Sequence, residues 1–159
     1  MLSRHVHRMT TAAVLCMVLL VPIHVAAGAQ SASAAAERGQ EHCHDLAYPE
    51  LTCYSTAAER DAAFTTGGDG AAALSSGYVI AYLHASYAGS SVILSQDYGN
   101  LGFIGWSDKI SSYRVYTSPT GYFHEHTWYG GRAQAYCCFS SVAYVGDALN
   151  DTFSSFNLP

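Results

Sequence analysis

A six-residue pattern occurs twice in this 159-residue chain, and it constrains the fold more than any other feature. It reads SDKISS at residues 107–112 and NDTFSS at residues 150–155. Each copy has an aspartate in second place and a pair of serines at its end. A side-chain set this rich in oxygen, written twice, indicates an internal duplication with one functional loop in each half.

A second pattern precedes each hexapeptide: two aromatic residues separated by four others, with a glycine two residues later. The two copies are Tyr82, Tyr87 and Gly89 in the first half, and Phe123, Trp128 and Gly130 in the second. The glycine precedes its hexapeptide by 18 residues in the first half and by 20 in the second. We interpret the pattern as an aromatic pair packed across a folded hairpin, with the glycine in a backbone conformation that other residues resist.

The chain from residue 77 onward alternates between apolar and polar residues in short runs. Glycine, serine and asparagine separate these runs, and no helical period lies between them. The strand-like runs are YVIAYLH, SVIL, ISSYRVY, YFHEHTW, RAQAYCC and DTFSSF. The pattern predicts an all-β fold, an antiparallel sandwich.

These repeated patterns resemble the βγ-crystallin Greek key, whose microbial members also carry the calcium sequence N/D-N/D-x-x-S/T-S. The resemblance covers residues 77–159 and implies two Greek-key motifs that form one sandwich. Calcium takes six to eight oxygen ligands, and the resemblance implies that both loops supply them. The implied ligands are Asp108 and Ser111 in the first loop, and Asn150, Asp151 and Ser154 in the second.

The two loops are not equivalent. NDTFSS matches the calcium sequence at every position, whereas SDKISS has Ser107 in place of the first Asn or Asp. Lys109 also adds a positive charge beside the first loop. We therefore expect a stronger calcium site at the second hexapeptide than at the first, and a role in the fold for the second serine of each.

The N-terminal part divides into three segments. Residues 1–29 have basic residues, an apolar run and small residues at the exit, as in a secretory signal peptide; cleavage after Ala34 and a membrane anchor are the alternatives. Residues 30–41 are predicted to be a flexible leader, and residues 42–76 an arm with one helix. That helix begins with a capping box of Thr56 and Glu59 and ends at Gly67–Gly68. The segment DGAAALSSG is predicted to be a linker.

Four cysteines remain after the signal peptide, which suggests two disulfides in an exported chain. A bond between neighbouring Cys137 and Cys138 is disfavoured, because adjacent strand residues point to opposite faces. We predict that Cys43 and Cys53 connect the arm to Cys137 and Cys138. A local Cys43–Cys53 loop with a reactive vicinal pair, or a metal site, are the alternatives.

Composition narrows the classes of function. Without Arg4 and Arg8, twelve acidic residues face five basic ones, so the mature chain carries a net charge of −7. Such a chain is a poor candidate for binding nucleic acid or an anionic membrane. No serine lies in a G-x-S-x-G elbow, and we predict a non-enzyme. His124 and His126 lie on one strand face, where zinc binding is the alternative to ordinary surface histidines.

These observations predict a secreted, calcium-binding domain whose ion stabilises the fold, and a monomer. One alternative is a metalloproteinase inhibitor with an extracellular proteinase as its partner, because GWSDKISSYRV is similar to exported actinobacterial inhibitors of crystallin-like fold. A third possibility is an antimicrobial or killer-toxin-like protein, although such chains are often more basic. Fold alone does not choose among these functions.

Overall fold

The computed structural model describes residues 39–159, so the predicted signal peptide and most of the predicted leader lie outside the described residues. Two α-helices occur in this part of the chain, α1 at Ala57–Thr66 and α2 at Gly70–Ser76. The strands are β1 His42–His44, β2 Thr52–Tyr54, β3 Tyr78–His84, β4 Ala88–Leu94, β5 Ser112–Tyr116, β6 Gly121–His124, β7 Ala133–Tyr136, β8 Ser141–Val142 and β9 Ser155–Asn157. Short 3₁₀ segments lie at Ala85–Tyr87, Leu101–Ile104 and Thr127–Tyr129.

The strands form two sheets that exchange segments between the halves. One sheet has the order β2-β1-β4-β3-β5-β8 and the other has the order β7-β6-β9. Strand β8 belongs to the second half of the sequence but pairs with β5 of the first. Tyr98, between β4 and β5, forms an antiparallel bridge to Phe156 of β9. This reciprocal exchange confirms the predicted all-β sandwich of two Greek-key motifs.

The core lies between the two sheets and follows from the period-two pattern of the strands. Alternate residues of β3, β4 and β5 point inward, and aromatic rings from the second half meet them. Phe123 is fully buried, and its ring centroid lies 5.0 Å from those of Tyr113, Phe153 and Phe156. The other inward residues include Val79, Ala81, Val92, Leu94, Val115 and Tyr136.

Helix α1 begins and ends where the sequence predicts. The Oγ1 atom of Thr56 accepts a hydrogen bond from the Glu59 amide at 3.2 Å, and Gly67 caps the C-terminus. The Glu59 carboxylate also accepts a hydrogen bond from the hydroxyl of Ser55 at 2.9 Å. The helix covers the outer face of the larger sheet, where Phe64 packs with Ile80 and Ile93.

The predicted linker is wrong, because residues 70–76 form helix α2. A Cβ atom on Gly70 would lie 1.7 Å from the carbonyl oxygen of Phe64, so glycine permits a close approach between α1 and the start of α2. The small alanines then bring the helix onto the same cluster, in which Ala73 is buried. The glycines of this segment therefore form a tight turn between two helices.

Strands β1 and β2 extend the larger sheet, although the sequence predicted an arm with one helix there. β1 pairs in parallel with β4, and β2 pairs with β1. The buried Asp45 carboxylate accepts hydrogen bonds from the amide and hydroxyl of Ser95, both at 2.6 Å, and from the Tyr98 hydroxyl at 2.9 Å. Burial raises the pKa of Asp45. Non-covalent contacts therefore anchor the arm to the sandwich.

The predicted disulfide pairing between the arm and residues 137 and 138 is wrong. Cys43 bonds to Cys53, its direct partner across the β1–β2 pair, with 4.0 Å between the Cα atoms. Cys137 bonds to Cys138. The argument against a vicinal bond assumed a strand, but β7 ends at Tyr136 and Cys138 has a φ of 66°. In this turn the rule of alternating faces does not apply.

Candidate metal centre

Each half folds back on itself in a hairpin with the same backbone conformation. Two consecutive residues take positive φ in each hairpin: Ser86 and Tyr87 at 59° and 62°, and Trp128 and Tyr129 at 56° and 63°. The glycines that follow with positive φ are at positions 89 and 131, at 79° and 75°. Equivalent positions of the two hairpins are therefore 42 residues apart.

This spacing corrects the second aromatic pattern by one residue. The structural equivalents of Tyr82, Tyr87 and Gly89 are His124, Tyr129 and Gly131, and not Phe123, Trp128 and Gly130. The Tyr82 and Tyr87 ring centroids are 5.7 Å apart, and those of His124 and Tyr129 are 5.6 Å apart, both edge to face.

The misplaced residues have other roles. Phe123 is buried between the sheets, the Trp128 side chain is 69% exposed, and Gly130 has an ordinary φ of −87°. The search for Phe, Trp and Tyr at this spacing missed His124, because a histidine occupies the position that Tyr82 has in the first half.

The second serine of each hexapeptide holds its hairpin, as the sequence predicts. Ser112 and Ser155 are fully buried. The Oγ atom of each donates to a hairpin carbonyl at 2.6 Å, that of His84 or that of His126. Each also accepts a hydrogen bond from a hairpin amide, that of Tyr87 at 3.1 Å or that of Tyr129 at 3.0 Å. These serines connect the hairpin to the last strand of their own half.

Each hexapeptide ends in a pair of serines, and the aspartate of each hexapeptide faces the first serine of this pair in the other hexapeptide. The Ser154 hydroxyl donates to Oδ1 of Asp108 at 2.9 Å, and the Ser111 hydroxyl lies 3.4 Å from Oδ1 of Asp151. Both aspartates have a φ of 55°. The structure therefore brings all five predicted site residues into one crossed cluster, which we define as Asp108, Ser111, Asn150, Asp151 and Ser154.

An open cleft of about 460 Å³ lies over part of this crossed cluster. Leu83 of the first hairpin contributes a carbonyl oxygen, which accepts from the Ser111 hydroxyl at 2.8 Å. Sequence analysis cannot assign such a carbonyl, since every residue type carries one. The complete lining is Leu83, His84, Ala85, Asp108, Lys109, Ser111, Tyr144, Asn150 and Asp151.

One oxygen in the cluster is unsatisfied. The Asn150 amide nitrogen donates to Asp151 at 2.7 Å, while its buried Oδ1 has no hydrogen-bond partner among the described residues. A buried polar atom of this kind needs a ligand or a proton donor. A hard cation would satisfy it, and the neighbouring donors are carboxylate, hydroxyl and carbonyl oxygens, which calcium prefers. The residues present therefore fit a calcium ion.

The surroundings of the cleft carry charges of both signs. Lys109 lies in the lining together with Asp108 and Asp151. The Tyr144 hydroxyl donates to the Asp147 carboxylate at 2.6 Å, and this hydrogen bond raises the pKa of Tyr144. Asp147 is thus one further acidic residue beside the site that the hexapeptide pattern does not include.

The histidines proposed as alternative zinc ligands are engaged in the second hairpin. Nε2 of His124 lies 3.1 Å from Oδ1 of Asn157. The His126 ring packs against Gly131, and a Cβ atom added to this glycine would lie 2.9 Å from the ring. Packing of the hairpin therefore accounts for both side chains.

Comparisons with known proteins found similarity among solved structures alone: no protein-family model and no curated protein matches the sequence. A βγ-crystallin from an archaeon matches 52% of this chain and 98% of its own, with 32% identity and a TM-score of 0.46. A βγ-crystallin domain from Flavobacterium johnsoniae matches 50% of this chain and 90% of its own, with 25% identity and a TM-score of 0.44. A nickel complex of a clostrillin double mutant matches 50% of this chain and 94% of its own, with 25% identity and a TM-score of 0.42.

The sequence identity to the archaeal protein extends over nearly all of that protein's length. In this chain, two hairpins of equal backbone conformation, each held by a buried serine, and a reciprocal exchange of strands agree with the same assignment. The chain belongs to the βγ-crystallin family.

Proposed function

We propose that this chain is a secreted calcium-binding βγ-crystallin domain in which the ion stabilises the fold. The crossing of the two hexapeptides carries the proposal: each aspartate lies against a serine of the other half. An ion held by such a set of oxygens is bound by both halves at once. The unsatisfied Oδ1 of Asn150 supports a cation at this place.

Calcium would act as a structural ion and not as a switch. Binding to the native state alone adds RT ln(1 + [L]/Kd), about 2.7 kcal/mol at a hundredfold excess over Kd. The hexapeptides lack the twelve-residue loop of an EF-hand, and the crossed cluster lies in loops of a sandwich and not between two helices that could swing apart. We therefore expect a rise in melting temperature without a new apolar surface.

Secretion is part of the proposal. It is supported by the basic, apolar and small-residue pattern of residues 1–29 and by two disulfides, which are typical of oxidising compartments. Helices α1 and α2 have 10 and 7 residues, and within residues 39–159 no helix reaches the length and apolar character that a membrane crossing needs.

Thermal unfolding with calcium and with a chelator, combined with calorimetric titration, tests the proposal. We expect calcium to raise the melting temperature by several degrees, since about 1 kcal/mol shifts a domain of this size by a few degrees. Far-ultraviolet circular dichroism should change little. Asp108→Asn with Asp151→Asn should abolish the shift, whereas the matched control Asp147→Asn should keep it. Equal melting temperatures with calcium and chelator, or a large signal from a dye that binds apolar surfaces, would contradict the proposal.

A further inference from the structure

Three metal-ligating side chains that do not belong to the crossed cluster lie together at the edge of the larger sheet. A carboxylate oxygen of Glu41 and the sulfur atoms of Cys43 and Cys53 all lie within 4.8 Å of one another. Glu41 and Cys43 are two residues apart, so their side chains point to the same side of the strand. Cys53 is the direct cross-strand partner of Cys43.

Backbone hydrogen bonds hold these positions independently of the sulfur–sulfur bond. The Glu41 amide donates to the Ser90 hydroxyl at 3.0 Å, and the Glu41 carbonyl accepts from the Ser91 amide at 2.9 Å. Parallel pairing places Cys43 beside Val92 of β4. The three side chains would therefore stay close together when the disulfide is open.

The same three residues line a cleft of about 620 Å³ between the arm and the 3₁₀ segment Leu101–Ile104. Glu41 and Cys53 are exposed, while Cys43 is buried at the base. The cleft gives a metal ion access from solvent. It also leaves room for a water molecule as a fourth ligand, as in zinc sites with three protein ligands.

We propose that Glu41, Cys43 and Cys53 form a Zn²⁺ site that replaces the Cys43–Cys53 disulfide when a dithiol opens it. The dithiol gives two electrons and two protons: its own sulfurs become a disulfide, and Cys43 and Cys53 become thiols. Zn²⁺ then displaces the two thiol protons and binds the thiolates and the Glu41 carboxylate. Two thiolates favour zinc over calcium, so this site is chemically distinct from the crossed cluster.

The bond and the metal exclude each other. The proposed zinc site needs the thiolates of Cys43 and Cys53, and neither cysteine is a thiolate while the disulfide is intact. Formation of the metal site therefore reports the redox state of the β1–β2 pair. Glu41, Cys43 and Cys53 do not belong to the crossed cluster, so the exchange removes none of the proposed calcium ligands.

The test uses the full chain with Cys16→Ser, Cys137→Ser and Cys138→Ser, so that Cys43 and Cys53 are the remaining cysteines. The protein is reduced with a dithiol, separated from it under argon, and titrated with Cd²⁺ as a spectroscopic substitute for zinc. We expect one equivalent of thiolate–cadmium absorption in the reduced protein and none in the oxidised protein, with Zn²⁺ displacing the signal.

Two matched variants and the melting temperature complete the test. Glu41→Gln should weaken binding by at least the tenfold to hundredfold that loss of an outer-shell partner costs. Glu50→Gln, in the same cleft but outside the ligand set, should bind as the parent does. Zinc should raise the melting temperature of the reduced protein, because it binds the native state. Thiolate–cadmium absorption in the oxidised protein, an unchanged Glu41→Gln affinity, or a melting temperature lowered by zinc would each overturn the proposal.

Discussion

The two halves share a backbone plan but differ in the side chains that cover it. In the first half the Arg114 guanidinium lies 4.2 Å from the Tyr87 ring centroid and 5.9 Å from that of Tyr82. In the second half, Asn157 lies beside His124 instead. The buried serines and the positive-φ glycines are the same in both. The shared geometry of the two halves therefore depends on a few hydrogen bonds to the backbone and on the positive-φ glycines. The two ring positions accept different residue types.

The outer faces of the two sheets show the greater difference. Helix α1 covers the larger sheet, where Arg60 is 1% exposed and donates to Asp61 and to the Ser91 hydroxyl. On the smaller sheet, the Tyr122 side chain remains 39% exposed and that of Tyr129 43% exposed. The arm has therefore turned one face of the sandwich into a third packed layer.

The largest expected effect tests this covering layer. Phe64→Ala should lower the free energy of unfolding by about 3–5 kcal/mol, because the ring is 2% exposed against Ile80 and Ile93. Tyr122→Ala on the open face should cost less than about 1 kcal/mol. Urea unfolding of both variants measures the contrast, and similar losses would show that the helix is not part of the cooperative unit.

The buried serines come next in expected size. Ser112→Ala and Ser155→Ala should each cost about 1–3 kcal/mol, because each change leaves a hairpin carbonyl and an amide without a partner. We expect the two losses to be similar, because the two serines make equivalent hydrogen bonds. Ser140→Ala, at an exposed position, is the control. A clear difference between the halves in chemical unfolding would show that the shared geometry does not carry equal energy.

The corrected register of the second hairpin predicts a contrast between neighbouring glycines. Gly131→Ala should cost about 1–2 kcal/mol, since its φ is 75° and an added Cβ would lie 2.9 Å from the His126 ring. Gly130→Ala should be nearly neutral, because its φ is −87° and the added Cβ would meet nothing closer than 3.4 Å. A lower melting temperature for Gly130→Ala than for Gly131→Ala would contradict the corrected register and support the register with Phe123, Trp128 and Gly130.

The smallest expected effect compares the two calcium loops. Asp151→Ala should weaken calcium binding more than Asp108→Ala, by up to about tenfold or 1.4 kcal/mol. The reason is that Asn150 precedes Asp151, whereas Ser107 precedes Asp108 and Lys109 follows it. Calorimetric titration of both variants settles the ranking. Equal losses would indicate that the crossed cluster responds as one unit.

Sequence analysis predicted the all-β fold from the alternation of its strands, whereas the two Greek-key motifs and the five site residues came from the resemblance to the βγ-crystallin pattern. Strand alternation, the serine pairs and the cap at Thr56 are visible in the letters. The crossing of Asp108 with Ser154 was not visible, since it depends on the exchange of strands between the halves. Calcium ligation by the five residues, the secreted location and proteinase inhibition stay predictions.

The failures concern three features that a residue pattern does not reveal: backbone conformation, strand pairing, and packing of a ring of another residue type. Cys138 takes positive φ just after a strand, which permits the vicinal bond. The pairing of β1 with β4 gives the irregular arm an edge position in the sheet. His124 takes an aromatic position without an aromatic letter. In each case tertiary context decided between local alternatives.

The exchange of Tyr98 and β8 between the sheets has a consequence for how this chain reaches its native state. Neither sheet is formed by residues of one half alone, so a chain divided near residue 118 should not give two folded pieces. Most strand pairs also join segments far apart in sequence, such as Tyr98 with Phe156. Loop-closure entropy opposes such contacts until many form together, and folding on the slow millisecond-to-second scale of all-β domains is expected. Duplication of a motif has thus produced an indivisible unit and not two modules.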